Sequence, residues 1–235
     1  MGESYGNYTI GNDQEIIKYV SSVNIACGFH AGDPATIDHT VKLAMKHHVK
    51  IGAHPSLPDL NGFGRRFMQI TPKEAYQLVT YQVGAVQSFV KANGGALHHV
   101  KPHGALYNMS AKDAVIANAI TEAIYKIDPN LTLYGLANSE LTLAAEKLGL
   151  PVAHEVFADR TYQSDGTLTP RTQSNAVIED HNQALSQVLE IIKNQTVTAT
   201  DGSNVELHAD TICIHGDNPH ALAFLQAMHH RFERE

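Results

Sequence analysis

The chain has 235 residues, of which 43% are hydrophobic and 17% are charged, and its formal net charge is -7 at pH 7. This length and composition are typical of a globular protein with a substantial core, and we expect residues 1–235 to form a single domain. The negative charge, without any cluster of lysine and arginine, argues against a nucleic-acid partner. No apolar run approaches the roughly 18 residues that cross a bilayer, so we expect no membrane partner.

The compartment follows from the first residues and the cysteines. The N-terminal residues lack the basic and apolar regions of a secretory signal. Cys27 and Cys213 lie far apart in the sequence, each in or at the end of an apolar run, as expected for buried, reduced thiols. We therefore expect a cytoplasmic protein.

Short apolar runs alternate with helical patterns along most of the chain. Strands are predicted at residues 23–27, 49–53, 97–100, 131–134, 152–156 and 211–214. Helices are predicted at residues 12–19, 34–48 after an Asp33 cap, 72–92 after a Thr71–Glu74 capping box, 110–127 with Ser110 as cap, 139–149, 180–193 and 219–232. Residues 195–209 break the alternation with two short runs around turn residues, which predicts a β-hairpin.

This alternation is typical of a parallel sheet covered by helices. An eight-stranded barrel takes about 250 residues, and only six strand–helix units are evident here. We therefore expect an α/β fold of the distorted or incomplete (β/α) barrel type with one added β-hairpin, and an open doubly wound sheet is the alternative. Neither a G-x-G-x-x-G turn nor a P-loop motif is present.

Polar side chains cluster at the predicted strand ends, which converge at one edge of a parallel sheet. They are Asn24, His30, Asp33, His54, Lys101, His103, Glu155, Asp159, Arg160, His215 and Asp217. Histidine beside carboxylate suits general acid–base chemistry on a carbonyl or amide, whereas lysine and arginine suit a carboxylate or phosphate ligand.

Structural explanations compete at several of these positions. Asp33 and the His215–Asp217 segment could each serve as a helix cap, and Glu155 could form an internal ion pair with Arg160. Arg65 and Arg66 are expected to face solvent or a partner protein. A zinc or manganese site at His30, His54 and His103 is the rival chemistry. Because these residues lack close metal-ligand spacing, we assign no metal.

Six motifs resemble those of the LamB/YcsF family. They are Asn-Ile-Ala-Cys-Gly-Phe-His-Ala-Gly-Asp-Pro at 24–34, Gly-Ala-His-Pro at 52–55, Gly-Phe-Gly-Arg-Arg at 62–66, Val-Lys-Pro-His-Gly-Ala-Leu-Tyr-Asn at 100–108, Phe-Ala-Asp-Arg-Thr-Tyr at 157–162 and His-Gly-Asp at 215–217. The resemblance covers essentially the whole chain. It implies a distorted barrel similar to the glycoside hydrolase/deacetylase class.

The resemblance also implies an activity, namely hydrolysis of the lactam of 5-oxo-L-proline to L-glutamate coupled to ATP hydrolysis. ATP with Mg²⁺ is then a co-substrate of a 5-oxoprolinase complex that contains two further subunits, B and C. Two alternatives are a metal-dependent deacetylase or amidohydrolase that works without ATP, and a non-catalytic substrate-binding subunit.

Roles for the candidate residues follow from this activity as hypotheses. His103 or His54 would act as general base, Asp33 or Asp159 would orient it, and His30 would complete the catalytic group. Lys101 would stabilise the oxyanion or bind phosphate. Substrate binding is assigned to Arg160, for the carboxylate, and to Asn24, Glu155, His215 and Asp217.

One departure from the family pattern concerns the first strand. The family's pattern has a strand of the form Asp-Leu-Asn-Cys-Asp, whereas this sequence goes from Met1 straight into Gly2-Glu3-Ser4-Tyr5-Gly6. We therefore expect a gap between the first and last strands of the sheet, with exposed backbone edges.

Overall fold

A computed structural model describes residues 1–218 and 220–232, and six of its strands form one parallel sheet that curls into a half-barrel. In their order across the sheet, these strands are Ser22–Ala26 (β1), Lys50–His54 (β2), His99–Val100 (β3), Thr132–Leu136 (β4), Val152–Phe157 (β5) and Thr211–Cys213 (β8). Thr196–Thr198 (β6) and Asn204–Glu206 (β7) form a separate antiparallel hairpin. The predicted incomplete barrel with one added hairpin is confirmed.

Helices cover the outside of the sheet and connect its strands. They are Asp13–Ile16 (α1, continued by a 3₁₀ turn at Ile17–Tyr19), Pro34–Lys46 (α2), Pro72–Ala92 (α3), Gly104–Ser110 (α4), Ala114–Ile127 (α5), Glu140–Leu148 (α6), His181–Asn194 (α7) and Ala221–Phe232 (α8). Pro219, the predicted start of the last helix, lies outside the described residues. Within residues 1–218 and 220–232, none of the helices is long and apolar enough to cross a membrane.

The predicted helix ending at residue 127 is present as α5, but the prediction that Ser110 caps it is wrong. Ser110 is the last residue of α4, and its hydroxyl donates to the carbonyl of Tyr107. Asp113 caps α5 instead, since its carboxylate accepts the backbone N–H groups of Val115 and Ile116. A short carboxylate two or three residues ahead of these amides satisfies them better than the serine can.

The main core lies between the sheet and helices α2, α3, α5 and α6. Ile25, Val41, Val83, Val100 and Ile120 are among its fully buried members. A second cluster joins β4 and β5 to the hairpin through Phe157, Tyr162, Leu168, Val197 and Leu207. The hairpin therefore covers the β5 side of the sheet as part of the same domain.

The sheet is open between β1 and β8, where a gap was predicted. In the described part of the chain, β1 pairs with β2 and β8 pairs with β5, and the two outer strands do not pair with each other. Met1 covers part of the β1 edge, since its amino group donates to the Asn24 carbonyl and its own carbonyl accepts the Ala26 N–H. Beside this gap, Ile16 of α1 packs against Ala221 and Leu225 of α8.

Gly52 gives a test of packing inside the half-barrel. A Cβ at Gly52 would overlap the imidazole of His99, which is held by the Asn24 side chain and stacks on Tyr134. We expect Gly52→Ala to lower the free energy of unfolding by about 1–3 kcal/mol, measured by urea denaturation.

Gly84→Ala is the matched control for this substitution. A Cβ at Gly84 in α3 meets no atom within 4 Å, so the change should raise the free energy of unfolding by up to about 1 kcal/mol. A Gly52→Ala protein as stable as the wild type would show that His99 is free to move.

Candidate active site

A cavity of about 530 Å³ lies at the carboxyl ends of the strands. Of the predicted site residues, it is lined by Asn24, His54, Lys101, His103, Arg160, His215 and Asp217. Four other predicted residues lie behind or outside its wall, namely His30, Asp33, Glu155 and Asp159. The convergence of the strand ends has therefore brought most of the predicted residues together.

His54 and His103 form a hydrogen-bonded pair in the wall of the cavity. Nε2 of His54 lies 3.0 Å from Nδ1 of His103. The other nitrogen of each ring faces a backbone carbonyl, with His54 Nδ1 2.7 Å from the Lys101 oxygen and His103 Nε2 2.8 Å from the Phe63 oxygen. Backbone carbonyls, rather than the predicted Asp33 or Asp159, therefore orient the two rings.

His30 supports this pair by stacking. Its ring lies parallel to that of His103, with centroids 3.7 Å apart and planes 6° apart. The residue is 0% exposed, and neither ring nitrogen has a hydrogen-bond partner among the described residues. Burial, with the N-terminal ammonium and Arg65 adding to it, lowers the pKa of His30 to about 3. His30 is therefore a neutral imidazole at neutral pH.

Asp33 serves as the cap of α2. Its carboxylate accepts the backbone N–H of Thr36 at 2.8 Å and that of Gly6 at 2.7 Å, and these bonds lower its pKa. It makes no hydrogen bond to a histidine in the described structure. The structural alternative considered for Asp33 thus accounts for its contacts, and it also holds the segment around Gly6 against α2.

Lys101 and Glu155 form a buried ion pair beneath the cavity. The two side chains approach to 2.6 Å with exposed fractions of 5% and 2%. Glu155 also accepts a hydrogen bond from the Tyr107 hydroxyl at 2.9 Å, and Lys101 lies 3.1 Å from the Cys213 sulfur. Burial alone would lower the pKa of Lys101, but Cys213 and Glu155 outweigh it and raise that pKa. Glu155 thus holds Lys101 charged, and it pairs with Lys101 rather than with Arg160.

Asp159 orients His215 rather than the His54–His103 pair. Its two carboxylate oxygens lie 2.9 and 3.0 Å from Nδ1 of His215, whose ring lines the cavity. Burial would raise the pKa of Asp159, but the interactions with His215 outweigh burial and lower it to about 2. His215 and Asp159 therefore form a second histidine–carboxylate unit on the β8 side.

Three arginines line the cavity, and they differ in the hydrogen bonds that their guanidinium groups make. Arg65 bonds Asp217 at 2.7 Å, which joins the loop after β2 to the segment after β8. Arg160 donates to the carbonyls of Ala176 and Thr169. Arg171 makes no hydrogen bond to the described residues. The cavity thus offers an anionic ligand one arginine that is free of hydrogen bonds within the described part of the protein.

Arg66 is 67% exposed, as expected, whereas the Arg65 side chain is 27% exposed and lines the cavity. Two glycines determine where it lies. Gly64 and Gly104 have φ values of +65° and +55°, and the N–H of Ala105 donates to the Gly64 carbonyl at 2.8 Å. A Cβ at Gly104 would overlap that carbonyl, so the loop rests directly on the start of α4.

Several cavity residues were not among the predicted site residues. They include Glu3, Arg65, Tyr107, Arg171 and Cys213. Cys213 ends β8 and could have been found by the strand-end rule, whereas Arg65 and Tyr107 lie within the quoted family motifs. Glu3 belongs to an irregular segment without periodicity, so only the three-dimensional structure places it beside the histidines.

The open parallel sheet and its polar cavity define an incomplete (β/α) barrel with a cationic site at the carboxyl ends of its strands. A sequence profile of the LamB/YcsF family matches residues 1–235, and the chain belongs to this family.

Proteins with established names resemble the chain over nearly its full length. It is 61% identical over 228 residues to the A subunit of 5-oxoprolinase from Brevibacillus brevis, covering 97% of this chain and 90% of that protein. It is 59% identical over 226 residues to the corresponding 5-oxoprolinase A subunit from Bacillus subtilis, covering 96% and 88%. The crystal structure of the lactam utilization protein from Thermus thermophilus aligns with a TM-score of 0.92 at 44% identity, covering 100% of this chain and 94% of that one.

Acid denaturation should reveal the Asp159–His215 pair. Because the folded-state pKa of Asp159 lies near 2, below the unfolded value of about 3.9, its stabilisation is complete above pH 4 and is lost as the pH falls towards 2. We expect Asp159→Asn to lower the free energy of unfolding by about 2 kcal/mol at pH 7. This difference should shrink between pH 4 and pH 2 in urea titrations.

Glu122→Gln is the control for this experiment, because Glu122 forms an exposed ion pair with Lys126. It should change the stability by less than about 0.5 kcal/mol at any pH. A difference for Asp159→Asn that does not vary with pH would contradict the assignment.

Proposed function

We propose that this chain is the A subunit of an ATP-dependent 5-oxoprolinase, which hydrolyses the lactam of 5-oxo-L-proline to L-glutamate. Subunits B and C are its proposed partners, and ATP with Mg²⁺ is the proposed co-substrate of the complex. The names of the relatives and of the Thermus thermophilus protein support the activity. The observation that carries it here is the meeting of a histidine pair, a buried lysine and arginines around one cavity.

The cavity suits the size and charge of this substrate. 5-Oxo-L-proline is a five-membered lactam with one carboxylate, and its volume is well below the 530 Å³ of the cavity. Arg171, which makes no hydrogen bond within the described residues, is our candidate for the carboxylate, because a guanidinium binds a carboxylate through two parallel hydrogen bonds. Arg160, the arginine predicted from the sequence for this role, is less available, since two of its nitrogens already donate to backbone carbonyls.

Lys101 and the histidine pair are then positioned for the reaction itself. Opening the lactam requires attack of water on the carbonyl carbon, accumulation of negative charge on the carbonyl oxygen, and protonation of the departing nitrogen. Lys101 provides a fixed positive charge for that oxygen, held by Glu155 from below. The His54–His103 pair would activate the water, and the His215–Asp159 unit would protonate the nitrogen.

ATP is part of this proposal because the proposed reaction of the complex couples lactam hydrolysis to ATP hydrolysis. The sequence contains no P-loop motif. We therefore assign nucleotide binding to the assembled complex and retain phosphate binding as a second role for Lys101.

Loss of the histidine pair or of the lysine should abolish turnover. With subunits B and C and Mg-ATP present, we expect His103→Ala to lower kcat by about 10²–10⁴-fold and Lys101→Met by about 10²–10³-fold. Glutamate release measures turnover, and circular dichroism with urea denaturation checks that each variant is folded. His208→Ala is the control, because His208 is exposed and precedes β8 at the opposite end of the strands. Wild-type turnover by either variant would refute the assignment.

Arg171 should govern affinity for the substrate more than the chemical step. We expect Arg171→Gln to raise KM for 5-oxo-L-proline by roughly 10–100-fold, because the neutral glutamine replaces a charge-assisted, bidentate contact with a weaker one. Lys91→Gln, on the exposed end of α3, provides a control that also removes one positive charge. An unchanged KM in the Arg171 variant would assign the carboxylate to another cation.

A further inference from the structure

The His54–His103 pair keeps all four of its ring nitrogens engaged within the protein. Nδ1 of His54 lies 2.7 Å from the Lys101 carbonyl oxygen. Nε2 of His103 lies 2.8 Å from the Phe63 carbonyl oxygen, and the two remaining nitrogens lie 3.0 Å from each other. A general base needs a lone pair within hydrogen-bond reach of the water that it deprotonates. The pair therefore shapes the place of that water, whereas a third group has to take the proton.

The Glu3 carboxylate lies in the wall of the same cavity. The residue is 9% exposed, and its side chain makes no hydrogen bond to the described residues. One carboxylate oxygen lies within 4.8 Å of a ring nitrogen of His103 and within the same distance of a ring nitrogen of His30. A carboxylate with unused lone pairs thus lies beside the histidines and faces the space that a substrate would occupy.

His30 provides a second contact for a water at this position. It is 0% exposed, and both of its ring nitrogens lack hydrogen-bond partners in the described part of the chain. A buried polar group without a partner is unfavourable. A water that makes two hydrogen bonds of about 2.8 Å spans roughly 4.5 Å, which lies within the 4.8 Å limit on the distance between the Glu3 oxygen and the His30 nitrogen. One water bonded to both residues would satisfy His30 and place an O–H group on the Glu3 carboxylate.

The backbone on both sides of Glu3 is held, although the Glu3 side chain is not. The Gly2 N–H donates to the Asp13 carboxylate at 2.7 Å. The Gly6 N–H donates at 2.7 Å to Asp33, the cap of α2. A side chain on an anchored backbone needs little rearrangement before it reacts. An anchored backbone with an unbonded carboxylate is typical of a residue that acts on a ligand and not of one that forms an internal ion pair.

We propose that Glu3 is the general base of the reaction and takes a proton from the water that attacks the lactam carbonyl. This inference rests on the proposed function and adds a catalytic residue to it. His30 orients the water, and the His54–His103 pair forms the wall against which the water and the lactam are placed. The role assigned to the histidine pair in water activation is thereby one of position, and the proton goes to the carboxylate.

The proposed steps balance for one water and one lactam. The water oxygen bonds to the lactam carbon while Glu3 takes one of its protons, and the carbonyl electron pair moves to the oxygen beside Lys101. When this oxyanion collapses, the C–N bond breaks and the nitrogen takes a proton from His215. The second proton of the water, now on the new carboxyl group, passes to the amine. Glu3 then returns its proton to His215, so both residues regain their starting states.

A binding role for Glu3 is the competing explanation. Its carboxylate could accept the lactam N–H, in which case its loss would raise KM and leave kcat nearly unchanged. A base acts only in the transition state, so its loss lowers kcat without a comparable change in KM. The two roles therefore differ in a measurable way.

The test uses the assembled complex with subunits B and C, Mg-ATP and 5-oxo-L-proline, and measures glutamate release. We expect Glu3→Gln to lower kcat by about 10²–10⁴-fold and to change KM by less than about threefold. Formate should raise kcat of Glu3→Ala by at least about tenfold, because it supplies a carboxylate in the space that alanine leaves. Formate should not rescue Glu3→Gln, whose amide fills that space. Circular dichroism checks that each variant is folded.

Glu15→Gln is the matched control, since Glu15 is an exposed carboxylate close in sequence that pairs with Lys18. It should keep the kcat of the wild type. A Glu3→Gln complex with kcat within about threefold of the wild type would overturn the proposal, as would an effect confined to KM or an inactive Glu3→Ala that formate does not restore. A wild-type complex that releases no glutamate would overturn the proposed function itself, whereas an active wild type with an equally active Glu3→Gln would overturn the role of Glu3 alone.

Discussion

The buried pair of Lys101 and Glu155 is the interaction on which the site depends most. Lys101 follows β3, Glu155 belongs to β5, and Tyr107 of α4 and Cys213 of β8 complete the contacts around them. These four side chains join β3, β5 and β8, which are not all neighbours in the sheet, to α4. Removing one member of a buried ion pair typically destabilises a protein by about 3–5 kcal/mol, because the other charge stays buried alone. The pair therefore stabilises the curvature of the sheet and also fixes the position of a cation under the cavity.

The other polar side chains of the site fall into two groups, those held by hydrogen bonds within the protein and those without a hydrogen-bond partner in the described residues. The outer nitrogens of His54 and His103 are fixed by carbonyls, Arg160 is fixed by two further carbonyls, and Asp159 holds His215. Arg171, Glu3 and His30, in contrast, have side-chain groups without hydrogen-bond partners in the described residues. Groups that are already satisfied define the shape of a site, whereas unsatisfied groups next to a cavity are those that a ligand would engage.

The fold was largely predictable because apolar strand patterns and helix caps are local signals. All six strands of the main sheet lie within two residues of their predicted ends, and the caps at Asp33 and Thr71 are present. The strand-end rule also identified most of the polar cavity lining. It could not show which way each side chain points, so Glu155 was placed with the substrate rather than beneath Lys101. The pairing of Asp159 with His215, and the approach of Glu3 to His30, depend on contacts distant in sequence that no local pattern encodes.

The contact between Gly64 and Gly104 has a consequence for how this sequence can diverge. The loop that carries Arg65 and the first turn of α4 touch through backbone atoms, with no side chain between them to absorb a change. A larger residue at either glycine would displace Arg65 from Asp217 as well as disturb His103, which precedes Gly104. We therefore expect Gly-Phe-Gly-Arg-Arg and Lys-Pro-His-Gly to be retained together during evolution, because a substitution at the glycine of one motif would disturb the backbone of the other.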